Sequence, residues 1–174
     1  MPVEMVFLNI VQALETFHTR FYGNNKRKYI ESVNARFPDN SDFAAIRKKL
    51  LPEEKNYNSE LGPKNTKGRI HLTSRINDLL IGKGDSLFME YWKGEEDYAH
   101  TIAITRNYYT HYDINKYERA LKGDALKESI FVLSKLLEYH ICAVLGINIQ
   151  DKIRQEIHVQ HTTNQLDNNH PGRR

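Results

Sequence analysis

Apolar residues recur along this chain at three- and four-residue intervals, and no segment alternates convincingly between apolar and polar. The first run, Val6, Phe7, Ile10, Val11, Leu14, Phe17 and Phe21, predicts a helix over 3–21 with a broad apolar face, stopped by Gly23-Asn24-Asn25. His18 lies on it with Glu15 and Arg20 near by, and is expected at the helix surface near a subunit contact. A second helix is expected over 26–37, and its opening cluster Lys26-Arg27-Lys28 reads as a solvated helix start rather than a phosphate patch. After the turn Phe37-Pro38-Asp39-Asn40-Ser41, Ser41 or Asp42 can cap a third helix carrying Phe43, Ile46, Leu50 and Leu51, which stops before Pro52.

From Pro52 to Lys67 the composition turns to Asn, Glu, Lys, Gly and Pro, a loop within the domain. Residues 68–81 predict a further helix with Ile70, Leu72, Ile76, Leu79 and Leu80 as core positions. Gly82-Lys83-Gly84-Asp85 then reads as a helix–helix turn, because the Walker pattern and its preceding strand are absent. Residues 86–92 form a short amphipathic segment, and 95–112 a longer helix. A polar connection after Asp113 closes at Gly123, and Asp124 is the expected N-cap of the clearest amphipathic helix. Its apolar stripe is Leu126, Ile130, Leu133, Leu137, Ile141 and Val144, and Gly146 ends it. A last helix over 147–161 precedes a polar tail, 162–174, expected to be frayed and disordered. The pattern predicts an all-α helical bundle in one domain over 1–161.

Composition narrows this only slightly. The 174 residues are 40% hydrophobic and 27% charged, a soluble balance that can bury one sizeable core. A net charge of +3 permits an anionic partner without demanding one. The single cysteine, Cys142, excludes an internal disulfide, fits a reducing compartment and sits in an apolar run as a small hydrophobe. No apolar stretch reaches membrane-spanning length, and Glu4 without a basic flank argues against a secretory signal, so a cytoplasmic protein with no membrane contact is expected. His158 and His161, spaced i and i+3, could ligate a metal with Cys142 or His140, but no carboxylate or second cysteine completes the set. No metal and no cofactor are expected.

The chemistry concentrates in Arg106-Asn107-Tyr108-Tyr109-Thr110-His111. Asn107 and His111, i and i+4, share a helix face. Arg106 and His111 stand about 140° apart around a straight helix, so one helix aims both at the same atom only if it ends or bends near Thr110. A two-fold dimer, each site borrowing from both copies, is the other solution. His100, Ile104, Asn107 and His111 form one stripe of mixed polarity, suited to a cleft or a symmetric interface.

Arg106-Asn107-x-x-x-His111 near a helix end resembles the Arg-x4–6-His signature of HEPN domains. The opening helix, with Ala13-Leu14-Glu15 and Phe21-Tyr22-Gly23, is similar to the start of the ApeA-like HEPN group. Leu136-Leu137-Glu138 leading to Leu145-Gly146-Ile147 is similar to its terminal helix. The resemblance implies four to five core helices plus short extra helices, and a homodimer. It implies a metal-independent endoribonuclease in phage defence or toxin-like RNA degradation, with RNA (tRNA included) as partner. Arg106 and His111 would be catalytic, and Asn107 would orient the histidine or the phosphate. Tyr109 and Tyr112 could stack bases, with core or interface packing as the bland reading for their neighbour Tyr108. Lys116 and Arg119 could contact phosphate. The competing reading is a non-catalytic HEPN module, for dimerisation, for RNA binding or as the partner of a nucleotidyltransferase, within a larger protein or alone.

Overall fold

Phe7, Val11, Leu14 and His18 fall on one line of a helix at spacings of four, three and four, and all four are buried in α1 (Val3–Tyr22). The computed structural model describes the backbone of residues 1–51, 69–82, 86–93 and 97–168, and among these residues there are helices and no strand. The protein is all-α. After α1 come α2 (Lys26–Arg36), a 3-10 turn (Ser41–Phe43), α3 (Ala44–Leu50) and α4 (Leu72–Ile81). A second 3-10 turn (Ser86–Phe88) leads into α5 (Met89–Lys93), and α6 (Tyr98–His111) follows. A 3-10 helix (Ile114–Arg119), α7 (Gly123–Val144) and α8 (Gln150–Asn168) complete the order. The predicted loop 52–67 lies outside the described residues, as do Lys83, Gly84 and Asp85 of the expected helix–helix turn.

The bundle is organised around α4, where every residue from Ser74 to Ile81 is buried. A helix buried on all sides must find partners for its polar groups, since an unpaired buried donor or acceptor costs about 1–3 kcal/mol. Asp78 accepts from Arg36 Nη2 at 2.8 Å and from His18 Nε2 at 2.9 Å. Arg75 donates to Ile70 O, Thr19 Oγ1, Asn24 Oδ1 and His18 Nδ1. A guanidinium can only donate, so Nδ1 of His18 accepts and the ring proton sits on Nε2, facing Asp78. Tyr29 OH donates to Ser74 O, and His140 Nε2 donates to Leu79 O at 2.8 Å.

His18 is therefore not a surface residue. It is 0% exposed and locked between Asp78 and Arg75. Its place in the 7-11-14-18 register carried that information, whereas its polarity pointed the other way.

Helices α1 and α7 run parallel. Phe7 meets Tyr109, whose hydroxyl holds Leu121 just ahead of α7, while Phe17 meets His140 near the far end. The buried line of α7 is Leu126, Ser129, Val132, Leu133, Leu136 and His140. The predicted stripe shares Leu126 and Leu133 with it. Ile130 and Leu137 are half-buried, and Ile141 and Val144 are exposed. The polar residues Ser129 and His140 occupy the buried register, which a count of apolar positions alone cannot follow. Ion pairs tie α8 to α7, with Lys135 between Glu138 and Glu156 and Lys152 beside Glu138, over buried Ile153 and Ile157.

Helix ends differ from expectation where a neighbouring side chain caps better. Asn40, not Ser41 or Asp42, accepts from the N–H groups of Asp42 and Phe43. Helix α4 begins at Leu72 rather than 68, with Arg75 Nε holding the carbonyl of buried Ile70 ahead of it. Asp97 caps α6 by accepting from His100 N, which moves its start to Tyr98. Lys122 occupies the N-cap of α7. Asp124 sits in the first turn, favourable for the helix dipole, and pairs with Lys127. Residues 162–168 of the expected frayed tail continue α8 to Asn168, since extending a formed helix is easier than nucleating one. Among the described residues, no helix is long and apolar enough to cross a membrane.

Candidate active site

Helix α6 turns Ala99, Ile102 and Thr105 into the core. The stripe His100, Ile104, Asn107, His111 lies beside that face. Ile104 is buried, Asn107 is half-buried, and His100 and His111 are exposed. Arg106, also half-buried, bends back so that Nη1 donates to Asn107 Oδ1 at 3.2 Å. The guanidinium is thereby drawn toward the side chain that shares a face with His111. Thr110 Oγ1 donates to Arg106 O at 2.7 Å, one turn back on the same helix. His111 is the last residue of α6, and its imidazole makes no hydrogen bond to a described residue.

The helix stops there because Tyr112 enters the left-handed region at φ 50, ψ 39, its N–H still donating to Tyr108 O. Asp113 caps the following 3-10 helix through Asn115 N and pairs with Lys116 at 2.7 Å. That pairing holds the Asp113 carboxyl below its ordinary range. The segment is then returned to α6. Leu121 N donates to Thr105 Oγ1 at 3.0 Å, and Leu121 O accepts from Tyr109 OH at 3.0 Å. Both backbone groups of one residue are thus taken by side chains of α6.

The six residues named from sequence occupy three situations. Arg106 and Asn107 are joined, and His111 lies one helical turn beyond Asn107 at the open end. Tyr112 and Lys116 follow at the surface, Lys116 engaged by Asp113. Tyr109 faces inward, with Phe7 and Tyr108 edge-on to its ring and its hydroxyl pushed up by burial. That placement makes Tyr109 part of the packing between α6, α1 and the segment before α7. Arg119 reaches His100, Nη2 to Nε2 at 3.2 Å, so the proton of His100 sits on Nδ1.

Sequence reasoning passed over Thr105, Tyr117 and Lys122. Tyr117 packs edge-on against Tyr108, and Lys122 Nζ stands 3.1 Å from the Tyr117 ring centroid. The available signal was the interleaving of Tyr112, Tyr117 and three cations within eleven residues of the motif. Among the described residues, no group of three or more His, Cys, Asp or Glu side chains is placed to hold a metal ion. His140 is committed to Leu79 O, and the side chain of His161 lies outside the described residues.

An all-α bundle with an Arg-Asn-x-x-x-His sequence closing a helix agrees with the resemblance to HEPN domains. A family model described as Apea-like HEPN matches residues 8–151, and the chain belongs to that family. No curated protein and no solved structure matches it.

Proposed function

We propose that the protein is a metal-independent endoribonuclease that works as a homodimer. The observation that carries this reading is the end of α6. Arg106 and Asn107 are joined there, and His111, whose imidazole makes no hydrogen bond to a described residue, follows one turn later on the face of Asn107. Arg106 and His111 leave one regular helix about 140° apart, a gap that the turn of Arg106 toward Asn107 narrows, and in this reading the motif of a second copy completes the site.

The chemistry follows from the side chains. His111 takes the proton of a ribose 2′-OH, and the 2′-oxygen attacks the adjacent phosphorus. The bond to the 5′-oxygen breaks, and an imidazolium, that of the second copy's motif, returns a proton to the leaving oxygen. The products are a 2′,3′-cyclic phosphate and a 5′-hydroxyl. A histidine can serve as both acid and base near neutral pH, worth roughly 10²–10⁴ in rate. Arg106 balances the charge that builds on the phosphoryl oxygens, and Asn107 fixes its fork. Lys116 offers a nearby cation to the RNA backbone. Family membership supports a role in phage defence or toxin-like RNA degradation inside the cell.

The test is incubation of purified protein with total tRNA and with unstructured RNA in EDTA. Cleavage that survives the chelator, leaves cyclic phosphate ends and vanishes in Arg106→Ala and His111→Ala is the expected result. Undiminished cleavage by His111→Ala, or no cleavage by the wild-type dimer, would assign the module to a non-catalytic role.

A further inference from the structure

The segment after the motif presents Tyr112, Ile114 and Tyr117 to solvent, at 76%, 75% and 41% exposure. Tyr112 is anomalous in its backbone as well. Among the described residues it is the sole non-glycine at positive φ, while Gly23, Gly82, Gly123 and Gly146 fill the other such positions. Helices ordinarily use glycine or asparagine at this point, because a Cβ is disfavoured there. A tyrosine that strains its backbone and gains almost no burial is placed there for what its ring can touch.

The rings are held in fixed relation. Tyr108 lies between its two exposed neighbours, 6.2 Å from Tyr112 and 5.7 Å from Tyr117, with interplanar angles of 70° and 68°. Lys122 stands over Tyr117. From Arg106 to Lys122 the chain carries four cations, Arg106, Lys116, Arg119 and Lys122, against the carboxylates of Asp113 and Glu118. The clasp on Leu121 binds the segment to the helix that bears His111.

We infer that Tyr112 and Tyr117, braced by Tyr108 and flanked by Lys122, form a stacking subsite for unpaired bases beside the bond to be cut. The inference rests on the nuclease reading for its position. Its ligand follows from exposed aromatic rings interleaved with cations: Tyr112 is the more open platform, and Lys122 over one face of Tyr117 leaves the base the other face of that ring. A duplex hides its base faces inside the stack, so the occupant is a single strand or a loop. Exposed rings could also serve a protein contact, but the cations and the continuity with the motif favour a polyanion.

The experiment measures fluorescence anisotropy in EDTA with 2′-O-methyl decauridylate, which binds but lacks the attacking hydroxyl. An abasic strand of equal length and an RNA duplex serve as comparisons. The decauridylate should bind more tightly than either. Tyr112→Gly and Tyr117→Ala should each weaken it by about 5- to 100-fold. Lys122→Ala should reduce the salt dependence. Tyr112→Gly should also unfold at a higher temperature than wild type, which separates lost binding from lost folding. Tyr117→Leu, which keeps an apolar neighbour for Tyr108, should lose affinity as Tyr117→Ala does.

Equal affinity for the abasic strand, preference for duplex, or unchanged affinity in both tyrosine variants would overturn the subsite. So would tyrosine variants that alter only the oligomeric state. Base-dependent binding of the uncleavable strand without cleavage of an ordinary one would sink the nuclease reading and leave the subsite standing. Ordinary cleavage with unchanged affinity in both tyrosine variants would do the reverse.

Discussion

Arg106 donates from Nη1 to Oδ1 of its neighbour Asn107, 3.2 Å away, so a permanent cation and a carboxamide on consecutive residues act as one unit. The bond fixes the guanidinium and leaves the Asn107 amide N–H groups to point elsewhere. Asn107→Ala should free Arg106 and slow single-turnover RNA cleavage at least about tenfold. On the nuclease proposal Asn107→Asp should be worse, because a carboxylate at that distance partly cancels the charge of Arg106. Arg106→Lys should fail as well, since an ammonium lacks the fork. An Asn107→Asp variant as fast as wild type would show that the pair plays no part in the reaction.

Asp78 accepts from one cation and one neutral donor inside the bundle, Arg36 and the Nε2–H of His18. Removing one member of such a buried group leaves the others uncompensated, at about 3–5 kcal/mol. Asp78→Ala should lower the unfolding free energy, read by urea titration, by that amount, and His18→Leu by less, since Arg36 would keep its acceptor. A loss below about 1 kcal/mol in Asp78→Ala would contradict the network.

His140 should make stability depend on pH. Burial lowers its pKa below the ordinary imidazole value, partly opposed by the hydrogen bond to Leu79 O and the charge of Asp78, with His18 acting in the same direction as burial. The unfolded chain then binds the extra proton first. Its contribution is complete above about pH 6.5 and is lost as the pH falls below that value. Urea midpoints at pH 5 and pH 7.5 should differ more for wild type than for His140→Gln. Identical pH dependence in the two proteins would count against this assignment.

At the surface of α7, Lys135 holds Glu138 and Glu156, which raises the lysine's pKa and lowers that of Glu138. The depressed carboxyl favours the folded state above its unfolded value and ceases to as acid protonates it. The raised ammonium favours it until alkali removes the proton. Amide exchange in α8 should therefore accelerate, relative to α1, in Lys135→Ala. Unchanged exchange would mean that Ile153 and Ile157 alone seat the helix.

Tyr112→Gly should raise stability by about 1 kcal/mol, the order of the left-handed penalty for a residue with a Cβ. Thermal unfolding measures this directly, and a decrease would show that the exposed ring contributes packing after all.

Period alone made most of the bundle legible. The α1 register, the burial of Ile76, Leu79 and Leu80, and the motif on a helix end all follow from apolar spacing and stop signals. What spacing missed is the polar content of the core. His18, Asp78, Arg75 and His140 occupy buried positions because each finds a partner far along the chain, and such pairings leave no trace in a local pattern. In the site, the motif residues were visible as an unusual run. The inward turn of Tyr109 and the Tyr117–Lys122 contact depend on how residues 112–121 fold back, which composition does not encode.

The two hydrogen bonds at Leu121 make the stretch after His111 a bracket whose ends are both fastened to one helix. Between them most side chains, Tyr112 and Ile114 foremost, face solvent, so they can change with little loss of core packing. A lineage could in this way vary the surface beside the motif by rewriting a single short insert, and a protein engineer could graft there first.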